Sequence, residues 1–167
     1  MKFIAMKNKI TRETFKLAAE ELSNRDPDVA MFYTAHGIPS LRTRPTGYGT
    51  LLKIICGQQV STAAARAITS RLDKLSNPLT PEIFLDLSKR QIRKIGLSRQ
   101  KENYARGIAE AVISEEFRFR KIAYLNDEEA IREMTKLKGI GRWTAEVYLL
   151  FALRRPDIWP VDDLGVV

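Results

Sequence analysis

Apolar positions along this chain recur every three or four residues, and no stretch sustains the alternation of a half-buried strand. Capping residues and glycines divide this pattern into helices. Asp26-Pro27 predicts an N-cap followed by proline in the first turn, opening a short helix over 29–33. An apolar run over 48–56 stops at Gly57, and Ser61 caps a helix to about 75 with Ala64, Ala65, Ile68 and Leu72 on one face. Thr80-Pro81 starts another helix, and Ser88 with Gln91 makes a capping box for one that stops at Gly96. Ser98 caps a long helix to about 116, with Tyr104, Ile108, Ala111 and Val112 inward. Asn126 with Glu129 opens a helix to about 137. After Gly139-Ile140-Gly141 a last helix runs over 142–154 and is closed by Pro156. The expectation is all-α, with Ile95-Gly96-Leu97 and Gly139-Ile140-Gly141 as two tight glycine turns and the long helices walling a cleft between two lobes.

Charge narrows the partner. Lys and Arg number 28 against 20 Asp and Glu, a net charge of +8 in 167 residues. Such a surplus favours a polyanion, because bound cations release counterions from phosphates; a merely basic protein has the same composition. Cys56 is the only cysteine, so one chain supplies no disulfide, zinc ribbon or cysteine-bound iron–sulfur cluster. Its neighbours Leu51, Leu52, Ile54 and Ile55 predict a buried thiol. No apolar run reaches the roughly 20 residues of a membrane span, and MKFIAMKNKI is too short and charged for a signal peptide. These features predict an intracellular protein, in the cytoplasm, nucleoid or nucleus.

The segment Leu137-Lys138-Gly139-Ile140-Gly141-Arg142-Trp143-Thr144-Ala145 carries the chemistry. Two glycines around one apolar residue allow a sharp turn between helices, with Ile140 as an inward plug. Gly141 then lies at a helix N-terminus, where free N–H groups and the dipole favour an anion. Crowding by a methyl group at Gly141 is expected to weaken anion binding. On the residues alone, an ordinary αα-hairpin fits equally well.

The surroundings resemble a known family. The hairpin is followed by a helix and then Trp159-Pro160-Val161-Asp162-Asp163-Leu164-Gly165. Upstream, Leu52-Lys53-Ile54-Ile55-Cys56-Gly57-Gln58-Gln59-Val60-Ser61 precedes an alanine-rich helix. In this order the motifs resemble the helix-hairpin-helix (HhH-GPD) DNA glycosylases, most of all the 3-methyladenine DNA glycosylase II type. The resemblance covers about residues 46–167. It implies a single two-lobed HhH-GPD domain over 1–167: N-terminal helices over 1–45, a helical lobe over 46–125, the helix-hairpin-helix over 126–154 and a catalytic aspartate segment over 155–167. The partner implied is double-stranded DNA containing damaged bases, met by a monomer without a membrane.

The resemblance also assigns roles. Lyase members place a lysine after Gly-x-Gly-Arg; Trp143 stands there, which implies a monofunctional enzyme using water. Asp163 is the implied catalytic carboxylate, with Asp162 the alternative. Trp143 is the implied stacking wall of the base pocket, with Gln58 and Tyr48 as further pocket candidates; Tyr48, Tyr148 and Trp159 are each more at home in a core. Gln59 is the implied wedge filling the gap left in the duplex; alternatively both glutamines bridge helices through backbone bonds. Gly139, Ile140, Gly141, Arg142 and Thr144 are the implied phosphate contacts, and Ser98, Arg99 and Lys101 further ones. Lys89, Arg90, Arg93 and Lys94 form a basic cluster, and Arg42 and Arg44 are exposed or on phosphate. His36, the only histidine, is expected to end a helix before Gly37. No catalytic metal, cofactor or iron–sulfur cluster is implied, only room for a structural monovalent cation at the hairpin.

The function expected is excision of alkylated purines from duplex DNA. A noncatalytic DNA-binding module and an oxidised-base glycosylase/lyase are the alternatives. Because Asp163 lies within the final five residues, C-terminal helices are expected to be missing and excision to be weak.

Overall fold

The computed structural model describes residues 9–76 and 78–163, and these carry helices and no strand. Ten helices follow in order among them: α1 (Arg12–Arg25), α2 (Pro27–His36), α3 (Tyr48–Gly57), α4 (Thr62–Leu75), α5 (Pro81–Leu85), α6 (Lys89–Ile95), α7 (Arg99–Ile113), α8 (Phe119–Ile122), α9 (Asp127–Thr135) and α10 (Arg142–Phe151). Most start where a side chain meets an orphan amide. Ser61, Thr80, Ser88, Ser98 and Asn126 each accept an N–H from the residue three further on. Asp26 accepts from Asp28 and Val29, with Pro27 in the first turn, so α2 begins earlier than expected and runs through His36 to Gly37.

The core is built around α3. Leu51, Leu52, Ile54, Ile55 and Cys56 are buried on it, and it packs against α4, α7 and α10. α5 packs on α7, and α9 on α10. The buried side chains form one continuous cluster from Tyr48 to Ile158. α1 and α2 pack on each other outside that cluster and bury no residue. Backbone bonds join the N-terminal segment to the end of α10: Ile10 N–H to Arg154 O at 2.8 Å and Arg44 N–H to Phe151 O at 2.9 Å.

Three expectations shift. On α7 the buried residues are Ala105, Ile108 and Ala109, so the inward stripe lies beside the expected one; Tyr104, Ala111 and Val112 are half-buried. α7, α9 and α10 each stop two or three residues early. Tyr48 is 4% exposed, packs on Phe84 and donates its hydroxyl to Ala105 O, which makes it a core residue rather than a pocket wall.

Candidate DNA interface and active site

The hairpin between α9 and α10 is built by two different glycines. Gly139 has φ +91°, and a Cβ there would lie 2.3 Å from the Tyr104 ring of α7. Backbone conformation and close approach therefore both demand glycine. Ile140 is buried as the plug, and its N–H bonds Leu137 O. Gly141 is the N-cap of α10 with φ −89°, and no side chain caps the helix. The first backbone bond comes from Ala145 N–H to Gly141 O, so the amides ahead of it have no acceptor within the helix. A Cβ at Gly141 meets nothing within 4 Å. The expectation of crowding there is corrected: the steric demand sits at Gly139.

Trp143, in the first turn of α10, is half-buried and donates its indole N–H to Asp163 Oδ2 at 2.9 Å. Asp163 is half-buried and its N–H bonds Pro160 O, whereas Asp162 is exposed. An indole and a carboxylate 20 positions apart are thus joined in one unit. Leu164 and Gly165, which gave Asp163 its motif context, lie outside the described residues.

The turn between α3 and α4 meets the same helix terminus. Gln58 donates Nε2 to Gly139 O at 3.1 Å and to Thr144 Oγ1 at 2.9 Å. It bridges helices, as the alternative reading held, and so ties the turn to the hairpin. Gln59 is exposed at φ 52°, left-handed backbone that a glutamine adopts only when its neighbours hold it. Lys101 of α7 holds one of them, donating to Cys56 O at 2.9 Å and Gln58 O at 2.7 Å. Burial lowers the pKa of this ammonium.

The side chains of several expected phosphate contacts are otherwise engaged. Arg142 donates Nε to Glu146 and both terminal nitrogens to Glu128, at 2.8, 3.2 and 2.5 Å, and these carboxylates raise its pKa. The Thr144 side chain is 2% exposed and turned to Gln58. Nearby, Lys138 of the hairpin and Arg99, Gln100, Asn103 and Tyr104 of α7 line an open groove of about 650 Å³. Arg99 therefore faces an accessible surface, Ser98 spends its hydroxyl on the α7 cap, and Lys101 faces inward. Lys89, Arg90, Arg93 and Lys94 stay exposed on α6. Arg44 lies over the Phe151 ring at 5.7 Å. Trp159 is 69% exposed, not core. His36 is exposed at the end of α2, its ring 4.7 Å from that of Phe32.

Sequence reasoning missed the inward role of Lys101, the Tyr104–Gly139 contact and the Glu128–Arg142–Glu146 cluster. Only the last had a signal, since Arg142 and Glu146 are four apart on a helix. Among the described residues, no group of three or more His, Cys, Asp or Glu could hold a metal. No helix there is long and apolar enough to cross a membrane. Cys56 is fully buried, and burial pushes its thiol up to about 12.

Residues 52–167 match the HhH-GPD superfamily of base excision DNA repair proteins. The chain belongs to this superfamily. It is 39% identical over 123 residues to DNA-3-methyladenine glycosylase 1 of Schizosaccharomyces pombe, covering 71% of this chain and 54% of that relative. It thus spans about half the length of that relative. Among solved structures, the S. pombe 3-methyladenine DNA glycosylase in complex with abasic DNA is similar, with TM-score 0.75, 34% identity, and coverage of 89% of this chain and 75% of that one. A DNA-3-methyladenine glycosidase from Bacillus halodurans gives TM-score 0.71 at 31% identity over 93% of this chain and 70% of that one. The HhH-GPD fold is all-helical here, as expected.

Proposed function

We propose that this protein is a monofunctional DNA glycosylase of base excision repair, hydrolysing the glycosidic bond of alkylated purines such as 3-methyladenine flipped out of duplex DNA. One observation carries the reading: the indole N–H of Trp143 on the Asp163 carboxylate, beside a helix terminus that no side chain caps.

The uncapped amides of α10 seat a backbone phosphate, and the groove of Arg99 and Lys138 extends the electropositive surface. Gln59, on its exposed turn, fills the gap left by the extruded base. Flipping costs a few kcal/mol, less at a damaged pair. Stacking on Trp143 returns about 1–3 kcal/mol, and its electron-rich face favours the cationic purine. As the base departs with both bonding electrons, its positive charge is neutralised and charge develops on the sugar. Asp163 stabilises that charge and takes the proton of the water that adds to the sugar carbon. Its bond to Trp143 fixes the carboxylate where the base stacks. With tryptophan rather than lysine at position 143, no Schiff base forms there.

No catalytic cofactor enters this scheme. A monovalent cation at the hairpin would use its carbonyl oxygens; Leu137 O and Gly139 O each accept one bond already and keep a second lone pair. The partner proposed is damaged duplex DNA inside the cell, met by a single copy of the chain.

The test is an excision assay on duplexes carrying 3-methyladenine, 7-methylguanine, 1,N6-ethenoadenine or hypoxanthine, with alkali to expose abasic sites. Alkali-dependent cleavage at the methylated purines is expected. Strand cleavage without alkali, or a borohydride-trapped covalent adduct, would overturn the monofunctional reading. Binding without excision of any lesion would leave only a DNA-binding module.

A further inference from the structure

The turn that presents Gln59 is held from outside itself. At its start, the Cys56 and Gln58 carbonyls stand at the C-terminal end of α3, where orphan oxygens and the negative end of the dipole collect. Lys101 reaches them from α7 with two bonds of one ammonium. The Gln58 amide anchors the same residue to Gly139 O and Thr144 Oγ1. Three residues on, Ser61 caps α4 by accepting from Ala64. Between these anchors only Gln59 and Val60 are exposed without a cap role, and Gln59 is in the left-handed region. Such backbone persists only where its surroundings over-determine it.

We propose that Lys101 is a positioning residue for strand insertion: by clamping the Cys56 and Gln58 carbonyls it keeps the turn preformed, so that Gln59 enters the base stack without first being ordered. This rests on the reading of Gln59 as the wedge. A loose turn would pay its ordering entropy during binding, and small misplacements of acting groups are costly in rate. Lys101 thereby does the opposite of an ordinary basic residue in a DNA-binding protein. Its charge is spent on the protein's own carbonyls, not on phosphate.

The experiment uses a duplex with a tetrahydrofuran abasic analogue next to 2-aminopurine, whose fluorescence rises when a wedge unstacks it. Wild type, Lys101→Met, Gln59→Ala and the double variant are compared. Lys101→Met is expected to slow the fluorescence rise by about 10-fold or more. The salt dependence of binding to undamaged duplex should keep its slope. In the Gln59→Ala background, Lys101→Met should add less than about 2-fold, because both act through one step. Should Lys101→Met not fold, Lys101→Gln, whose amide keeps one donor, carries the same comparison with a smaller loss. A salt slope reduced by about one would show a phosphate contact and overturn the proposal. Independent, multiplying losses would make Lys101 merely structural and overturn it too, as would a wild type that gives no fluorescence rise. Because the probe reports insertion without base release, a Lys101-dependent rise in a protein that excises nothing would fault the glycosylase reading and leave this proposal standing.

Discussion

Gly96-Leu97-Ser98-Arg99 and Gly139-Ile140-Gly141-Arg142 make the same turn twice. Each opens with glycine at φ +91°, buries the apolar residue that follows, and starts a helix at the arginine. They differ at the N-cap. Ser98 accepts the Lys101 N–H and closes the end of α7 from within the chain. Gly141 offers nothing to the end of α10. Free amides at a helix terminus need a partner, and the uncapped one of these two like turns is the terminus to which the proposed function assigns a phosphate. The arginines diverge as well: Arg99 lines an open groove, while Arg142 is gripped by Glu128 and Glu146. Sequence-level basicity therefore overstates the hairpin arginine and understates the bare backbone beside it.

The comparison breaks most visibly at the glycines. Gly139→Ala forces a methyl group into the Tyr104 ring from a left-handed backbone; a loss of about 2–5 kcal/mol in urea unfolding is expected. Gly96→Ala brings its methyl group to 3.0 Å from Arg71 Nη2, on a guanidinium that Nε ties to Ile95 O; a shift of a few tenths of an ångström relieves that contact, and the left-handed backbone costs about 1–2 kcal/mol. Equal losses would show that the Tyr104 contact does not matter. Ser98→Ala should cost about 1 kcal/mol by removing the α7 cap, with little effect on DNA affinity. The smallest change is the most informative. Gly141→Ser, copying the other turn, should add only a few tenths of a kcal/mol of stability yet weaken duplex binding several-fold as the hydroxyl competes for the amides. Unchanged binding in a gel-shift titration would mean that the hairpin amides meet no phosphate.

A separate check concerns Cys56. Burial holds its thiol protonated up to about 12. At pH 8 the folded protein should resist iodoacetamide, and alkylation should begin only with unfolding. Rapid labelling of the native protein would show that α3 is not the packed centre described.

Helix starts were legible because capping is local: a Ser, Thr, Asp or Asn three residues ahead of an amide states its purpose in the sequence. Helix ends were less so. Glu115 and Arg154 adopt φ 62° and 57° just past α7 and α10. Neither is a glycine, so nothing in the residue type marks the reversal. α1 was missed as a defined element because its capping box uses Thr14 where glutamate or glutamine is the usual signal. On α7 the buried alanines carry little weight in an apolar pattern, and the stripe drifted by one position. The site split in the same way. Trp143 and Asp163 were singled out by motif, but no spacing rule foretold their hydrogen bond. Gln58 and Lys101 could not be placed, because their partners lie on other helices, 43 or more positions away.

The most direct test of the account is the single-turnover rate of base release from a duplex containing 7-methylguanine, measured for the wild type, Asp163→Asn and Asp162→Asn. The account predicts release by the wild type and a fall of about 100-fold or more in Asp163→Asn, with affinity for the abasic analogue largely kept and Asp162→Asn near wild type. Wild-type turnover by Asp163→Asn, or its loss in Asp162→Asn instead, would contradict it.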